Sequence, residues 1–590
     1  MGNVALSRLA AALAAPALLW CAVPTMRLED IKPGMRGVGK TVFQGNRIDE
    51  FQVEILGTLE NVGPKQSVIL ARLSGGPLDR TGVMQGMSGS PVYIDGKLAG
   101  AVAMTFAFSK EPIAGIRPIG EMFEVEKSPP KTELRPTAAI REPINLLTRP
   151  EDVLSGEGRL TEIATPVSFG GFTRATLDHF APQLRSVGLE PLQGLTGGGA
   201  PASGFGDPSL IQPGSMISVQ LLSGDMSIGA EGTVTAVDGS RVYGFGHRFL
   251  SVGPTEMPFA RAEVIALLPN LSTSFKISAS REWMGAITQD RSAGIAGILG
   301  RRADMVPFTI SVSGPESTAG RTMNYRMQMV NDRVLAPLLV QIALYSAIDA
   351  TERTMGVSSL EVRGHISFQG AVPPIELNNV YTGDVNVPLQ ASLNTAVPLA
   401  YLMQSGFDAL KLKEIAIDVR SFDRKKQYQI DQAWTSVREA RPGDDLDVIV
   451  TMCGENGVEM TRKAKYHIPV GAPPGPLYIT VADGATTNLT EYQQLLTAAP
   501  KTPAQFVRFL NEMRPNNKAY IRIWRADASY TVEGEDLPDP PPSIAMLLAK
   551  THGSLGGSQT WRGSSVAEIA IDAGDAVVSG SRTIQVDIKE

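Results

Sequence analysis

The residues from Gln85 to Pro91 read Gln-Gly-Met-Ser-Gly-Ser-Pro and place one hydroxyl, on Ser88, between two glycines. A serine hydroxyl is a weak nucleophile until a neighbouring base takes its proton and nearby donors hold the developing oxyanion. Gly86 and Gly89 allow sharp backbone angles, so the amides of Gly86 and Ser88 can converge as an oxyanion hole. The same seven residues also read as a tight turn feeding the hairpin from Val92 to Ala103. A base must come from elsewhere. All five histidines, His179, His247, His365, His467 and His552, follow Ser88 in the chain. Two cysteines and five histidines lie scattered, and no glycine-rich phosphate loop opens a helix, so neither metal nor cofactor is expected.

The elements that position this turn are expected to be strands. The 59 glycines and 41 prolines fall between short Val/Ile/Thr-rich runs, a punctuation that favours sandwiches and barrels over bundles. Period-two alternation marks Thr41 to Leu59, then Ser67 to Leu73, then the hairpin after Ser88. A second β-rich block runs from Leu210 to Val312, with Asp238-Gly239 as a hairpin signal. Helical spacing appears at 175–189, 331–351 and 502–513, and further strands at 359–368, 414–422 and 444–453. The phrase Pro-Gly before an alternating strand occurs at Pro33, Pro213 and Pro442, either as internal repetition or as independent turns.

A chain of 590 residues exceeds one core. We read residues 1–26 as an export signal, with Arg8 followed by an apolar run too short to span a bilayer. Trp20 before Cys21 argues against lipidation, and loss of the signal would leave Cys453 without a disulfide partner. The expected divisions are 27–126, a connector with a short helix and glycine-rich loop at 127–208, then 209–320, 321–470 and a mixed α/β segment at 471–590 ending in a mobile tail. With 43% apolar and 19% charged residues the chain is an ordinary folded protein, and a net charge of −6 excludes nucleic acid as an expected partner.

The stretch from Thr81 to Val102 resembles the nucleophile motif of the SpoIVB-type serine peptidases. The stretch from Gly229 to Leu250 resembles that family's histidine patch, which places its histidine on His247. Residues 289–300 resemble a third segment, and 31–58 the strand pair before the nucleophile. The resemblance implies a mainly β fold: a chymotrypsin-like double β-barrel peptidase domain built from 27–126 and 209–320, plus C-terminal β-rich accessory domains with a few helices. The serine precedes the histidine here, the reverse of the family's order, which a circular permutation explains. The implied catalyst is an exported serine endopeptidase, periplasmic or extracellular, acting on protein or peptide through an acyl-enzyme. Ser88 is its nucleophile, His247 its base, and Gly86 with Ser88 its oxyanion hole.

The family's orienting aspartate falls on Leu73 or Ser74. Asp79 is the nearest carboxylate, with Asp238 and Asp290 as further candidates. That departure supports an alternative: a peptidase-like envelope binding or scaffold protein with weak or no catalysis. The family's PDZ module and anchor have no counterpart ahead of the serine half. Cell-envelope partners are expected for the added C-terminal mass, and membrane contact only through an uncleaved signal.

Overall fold

The computed structural model describes residues 23–106, 108–127, 160–194, 204–314, 322–351, 355–405, 407, 410–497, 502–532, 535–537, 540–550 and 558–590. The expected export signal up to residue 22, the proline-rich stretch 128–143, most of the glycine-rich loop and the start of the expected mobile tail lie outside these residues. Among the described residues no helix is long and apolar enough to cross a membrane.

Alternation along β2 (Arg47–Gly63) sends Phe51, Val53 and Ile55 inward and leaves Gln52 exposed. Its neighbours are β1 (Arg36–Gln44) and β3 (Gln66–Ser74), with the short helix α1 (Leu78–Thr81) after β3. Beyond the serine turn come β4 (Pro91–Ile94), β5 (Lys97–Phe106), β6 (Ile113–Pro118) and helix α2 (Ile119–Lys127). The β4–β5 hairpin turns on Asp95 and Gly96, both at positive φ, as a tight two-residue turn requires. These strands pair in the order β1-β2-β3-β6-β5-β4, and β4 pairs again with β1, closing a barrel.

The second barrel repeats that connectivity. Its strands are β10 (Met216–Gly224), β11 (Ser227–Asp238), β12 (Arg241–Gly244), β13 (Gly253–Leu268), β14 (Phe275–Arg291) and β15 (Gly294–Leu299). They pair as β10-β11-β12-β15-β14-β13, and β13 returns to β10. Each barrel opens on the same Pro-Gly bracket. Gly34 N–H donates to Ile55 O at 2.8 Å while Ile55 N–H donates to Met35 O at 2.9 Å. Gly214, Val234 and Ser215 repeat this at 2.8 and 2.9 Å, and Gly443, Ile468 and Asp444 do so at 2.9 and 2.9 Å. The glycines sit at φ +84°, +97° and +92°, where a side chain is disfavoured. The recurrent phrase is therefore a shared turn, and between the two barrels it marks a full repeat of topology.

Three expected divisions shift. The connector is structured: β7 (Leu160–Glu162) adds to β5, and β8 (Thr165–Gly170), α3 (Arg174–Ser186) and β9 (Leu189–Gln193) extend the second barrel from β11. The strand β16 (Met305–Ser313), expected in the histidine half, leaves the barrel to pair with β17 (Thr322–Val330) and in parallel with β20 (Leu412–Phe422). With β18 (Met355–Phe368) and β19 (Ile375–Val385) these continue the second barrel's sheet past β10. Helices α4 (Leu335–Thr351), which is buried on nearly every face, and α5 (Val387–Gln404) share one apolar core with that barrel. The division at 470 cuts a single core: strands at 427–467 and strands at 475–588 pack together around Ile430, Val450, Ile479 and Val586.

Candidate functional site

Ser88 and His247 lie on equivalent connections. In each barrel the link from third to fourth strand carries one of them, residues 75–90 before β4 and 245–252 before β13. The two links meet between the barrels. A Cβ on Gly89 would fall 2.0 Å from Thr233 O and 2.5 Å from Phe245 N, and one on Gly246 would fall 3.2 Å from Ala101 Cβ. Only glycine permits that approach, and both sit at positive φ.

The serine turn is held by the second barrel. Gln85 N–H donates to Ser274 O at 2.9 Å and Lys276 N–H to Gln85 O at 3.2 Å. Thr233 N–H donates to Ser88 O at 2.9 Å, and the hydroxyls of Thr233 and Thr235 donate to Gly86 O at 2.9 Å and Gly89 O at 2.7 Å. Within the turn, Met87 N–H donates to Met84 O and Ser90 N–H to Met87 O. Among the described residues nothing accepts from the amides of Gly86 and Ser88. Two uncommitted donors beside the Ser88 hydroxyl, with Gly86 at φ +89°, are what an oxyanion hole needs. Ser88 is 0% exposed, and its Oγ has no partner among the described residues.

His247 is 2% exposed and follows two consecutive residues in the left-handed region, Phe245 at φ 69° and Gly246 at φ 70°. Its Nδ1 lies 2.7 Å from Arg248 O. A carbonyl only accepts, so Nδ1 carries a proton, and in the neutral ring Nε2 then holds the lone pair, the tautomer a general base needs. The hydrogen bond from Ser88 Oγ to His247 is not formed, as is common before substrate tightens a site.

The expected carboxylates are placed otherwise. Asp79 is exposed on α1 and, among the described residues, makes no hydrogen bond or ion pair. Asp238 ends β11 at the hairpin with β12. Asp290 is fully buried and accepts from the amides of Phe249 at 2.9 Å, Leu250 at 2.7 Å and Val252 at 3.3 Å. Burial pushes its carboxyl up to about 6 against those donors. It thus shapes the loop after His247 rather than the ring. Arg248 pairs with Glu162 at 3.0 Å, tying that loop to β7 on the first barrel.

Lys276, Thr233, Thr235 and Arg117 also lie at this contact, and the sequence alone does not single them out. Lys276 is buried beside Gly86, its Nζ donating to Thr41 Oγ1 at 2.8 Å, and burial pushes its amine down to about 7. Two polar side chains on successive inward or interface positions of β11 were the available signal for the threonines; Lys276 carried none, because strand alternation alone does not say which face meets another barrel.

Residues 21–118 match the family model described as SpoIVB peptidase S55. The S55 match ends on the last residue of β6, so it covers the whole first barrel and Ser88. His247 and the second barrel lie beyond it. No curated protein and no solved structure matches the chain. The S55 match supports a serine peptidase with protein substrates, and the fold that carries it is mainly β.

Proposed function

We propose that this chain is an exported serine endopeptidase in which Ser88 attacks a peptide carbonyl and His247 takes its proton. The observation that carries the reading is the meeting of the two equivalent connections, one bearing each residue, at the contact between the barrels. The Arg248 carbonyl takes the orienting role expected of a carboxylate by fixing the proton on Nδ1. The amides of Gly86 and Ser88 receive the oxyanion, the acyl group stays on Ser88, and His247 returns its proton to the leaving amine before water completes hydrolysis. A permutation that moved the serine barrel ahead of the histidine barrel accounts for the order, since each barrel closes on itself. Export and cell-envelope partners follow from the signal-like N-terminus and the large C-terminal addition.

Burial favours a second reading. With Ser88 at 0% exposure, a non-catalytic envelope binding or scaffold role would leave the turn as it stands, whereas catalysis requires it to open. A fluorophosphonate separates the two. Labelling that vanishes in Ser88→Ala and falls sharply in His247→Ala supports the peptidase; equal labelling of wild type and both variants removes it.

A further inference from the structure

Arg117 is the penultimate residue of β6, and its side chain is 0% exposed. Its Nε donates to Gly246 O at 3.3 Å, the carbonyl joined to His247, and its Nη1 donates to Glu121 Oε2 at 3.2 Å and Gln66 Oε1 at 3.4 Å. Glu121 Oε1 in turn accepts from Ser67 N–H at 2.8 Å. Nη2 is buried with no partner among the described residues. A buried guanidinium is costly, and a methionine of similar length would fill the same space without that cost. What a methionine lacks is a rigid planar fork that holds an acid on one barrel and a carbonyl on the other.

The held turn is one that needs holding. Phe245 at positive φ is disfavoured, and such conformations persist where the surroundings over-determine them. We infer that Arg117 is a positioning residue for His247: from the serine barrel it grips the peptide preceding the histidine, so that strands β3, β6 and helix α2 set where the imidazole sits. The inference rests on the catalytic reading for its effect on rate, but its structural content does not.

Two variants and two readouts test it. Arg117→Lys keeps a buried cation but not the fork, and Glu121→Gln keeps the fork but removes its counter-charge. In folded full-length protein we expect the ring ¹⁵N resonances of His247 to shift in both. A displaced base slows reaction steeply, so Ser88 phosphonylation should fall on the order of 10- to 100-fold in Arg117→Lys and by less in Glu121→Gln. Should Arg117→Lys not fold, Glu121→Gln carries the same two measurements. His247 resonances superimposable on wild type in the folded variants overturn the inference, as does an unchanged labelling rate while Ser88→Ala is unlabelled. If wild type and Ser88→Ala label alike, the peptidase reading fails and the resonances alone decide the role of Arg117.

Discussion

Lys276 makes the contact between the barrels sensitive to pH, and Lys276→Met measures by how much. Its amine is lowered from 10.5 to about 7 by burial. Below pH 7 the lysine is protonated in both folded and unfolded chains. Between about 7 and 10.5 the unfolded chain holds the proton and the folded chain does not, so stability rises with pH across that window. Each unit is worth about 1.4 kcal/mol, so the full window amounts to about 5 kcal/mol and the span from pH 7 to 9 to about 3. Methionine keeps the stem beside Gly86 and removes the titration. The assay is urea unfolding of wild type and variant from pH 6 to 9, taking the difference so that other groups cancel. We expect the variant to be the more stable at pH 6 and to lose that advantage steadily above pH 7. A difference that stays flat within about 0.5 kcal/mol over the range would mean that Lys276 titrates alike in folded and unfolded chains, which contributes no slope.

Glu231, buried against Ser168 and Ser218 and raised to about 8 by burial, acts with the opposite sign: its stabilisation is complete below about 4.5 and is lost as pH rises through 8. Glu231→Gln should flatten the decline of stability between pH 5 and 8 that urea midpoints follow, and an unchanged slope counts against the assignment. Gly89→Ala adds a Cβ against Thr233 O and Phe245 N at positive φ, and should cost about 3 kcal/mol or more in the same assay. A loss under about 1 kcal/mol would mean that the barrels part easily there. Thr235→Val leaves the buried Gly89 carbonyl without its donor at 2.7 Å and should cost about 1–3 kcal/mol, with faster hydrogen exchange at the serine turn.

The serine turn was legible because its chemistry is local: glycines at Gly86 and Gly89 announce the positive φ that the structure contains. The barrels were legible in part. Alternation gave Phe51, Val53 and Ile55 their inward face, but the Pro-Gly phrase at Pro33 and Pro213 reads equally as independent turns, and closure of each ring is a pairing of β1 with β4 and of β10 with β13 that no local pattern encodes. The same limit moved the divisions. Strand β16 alternates like a barrel strand, and only its parallel register with β20, Phe308 opposite Ile415, shows which sheet claims it. Asp79 attracted notice by proximity in sequence, whereas the polar partner at Nδ1 is a backbone carbonyl, a group every residue has and no sequence displays. Arg117 escaped for a related reason: its value lies in reaching from one barrel to the peptide before His247, 129 residues away.

In the proposed function the two barrels complete one catalytic centre from equivalent connections. A crystal structure of the protein after reaction with a peptidyl phosphonate tests it most directly. The expected result is phosphorus bonded to Ser88 Oγ, one phosphonyl oxygen within about 2.7–3.1 Å of the amides of both Gly86 and Ser88, and His247 Nε2 at hydrogen-bonding distance from the adduct. Phosphorus on another residue, or on Ser88 with its oxygen turned away from those amides and His247 out of reach, would contradict it.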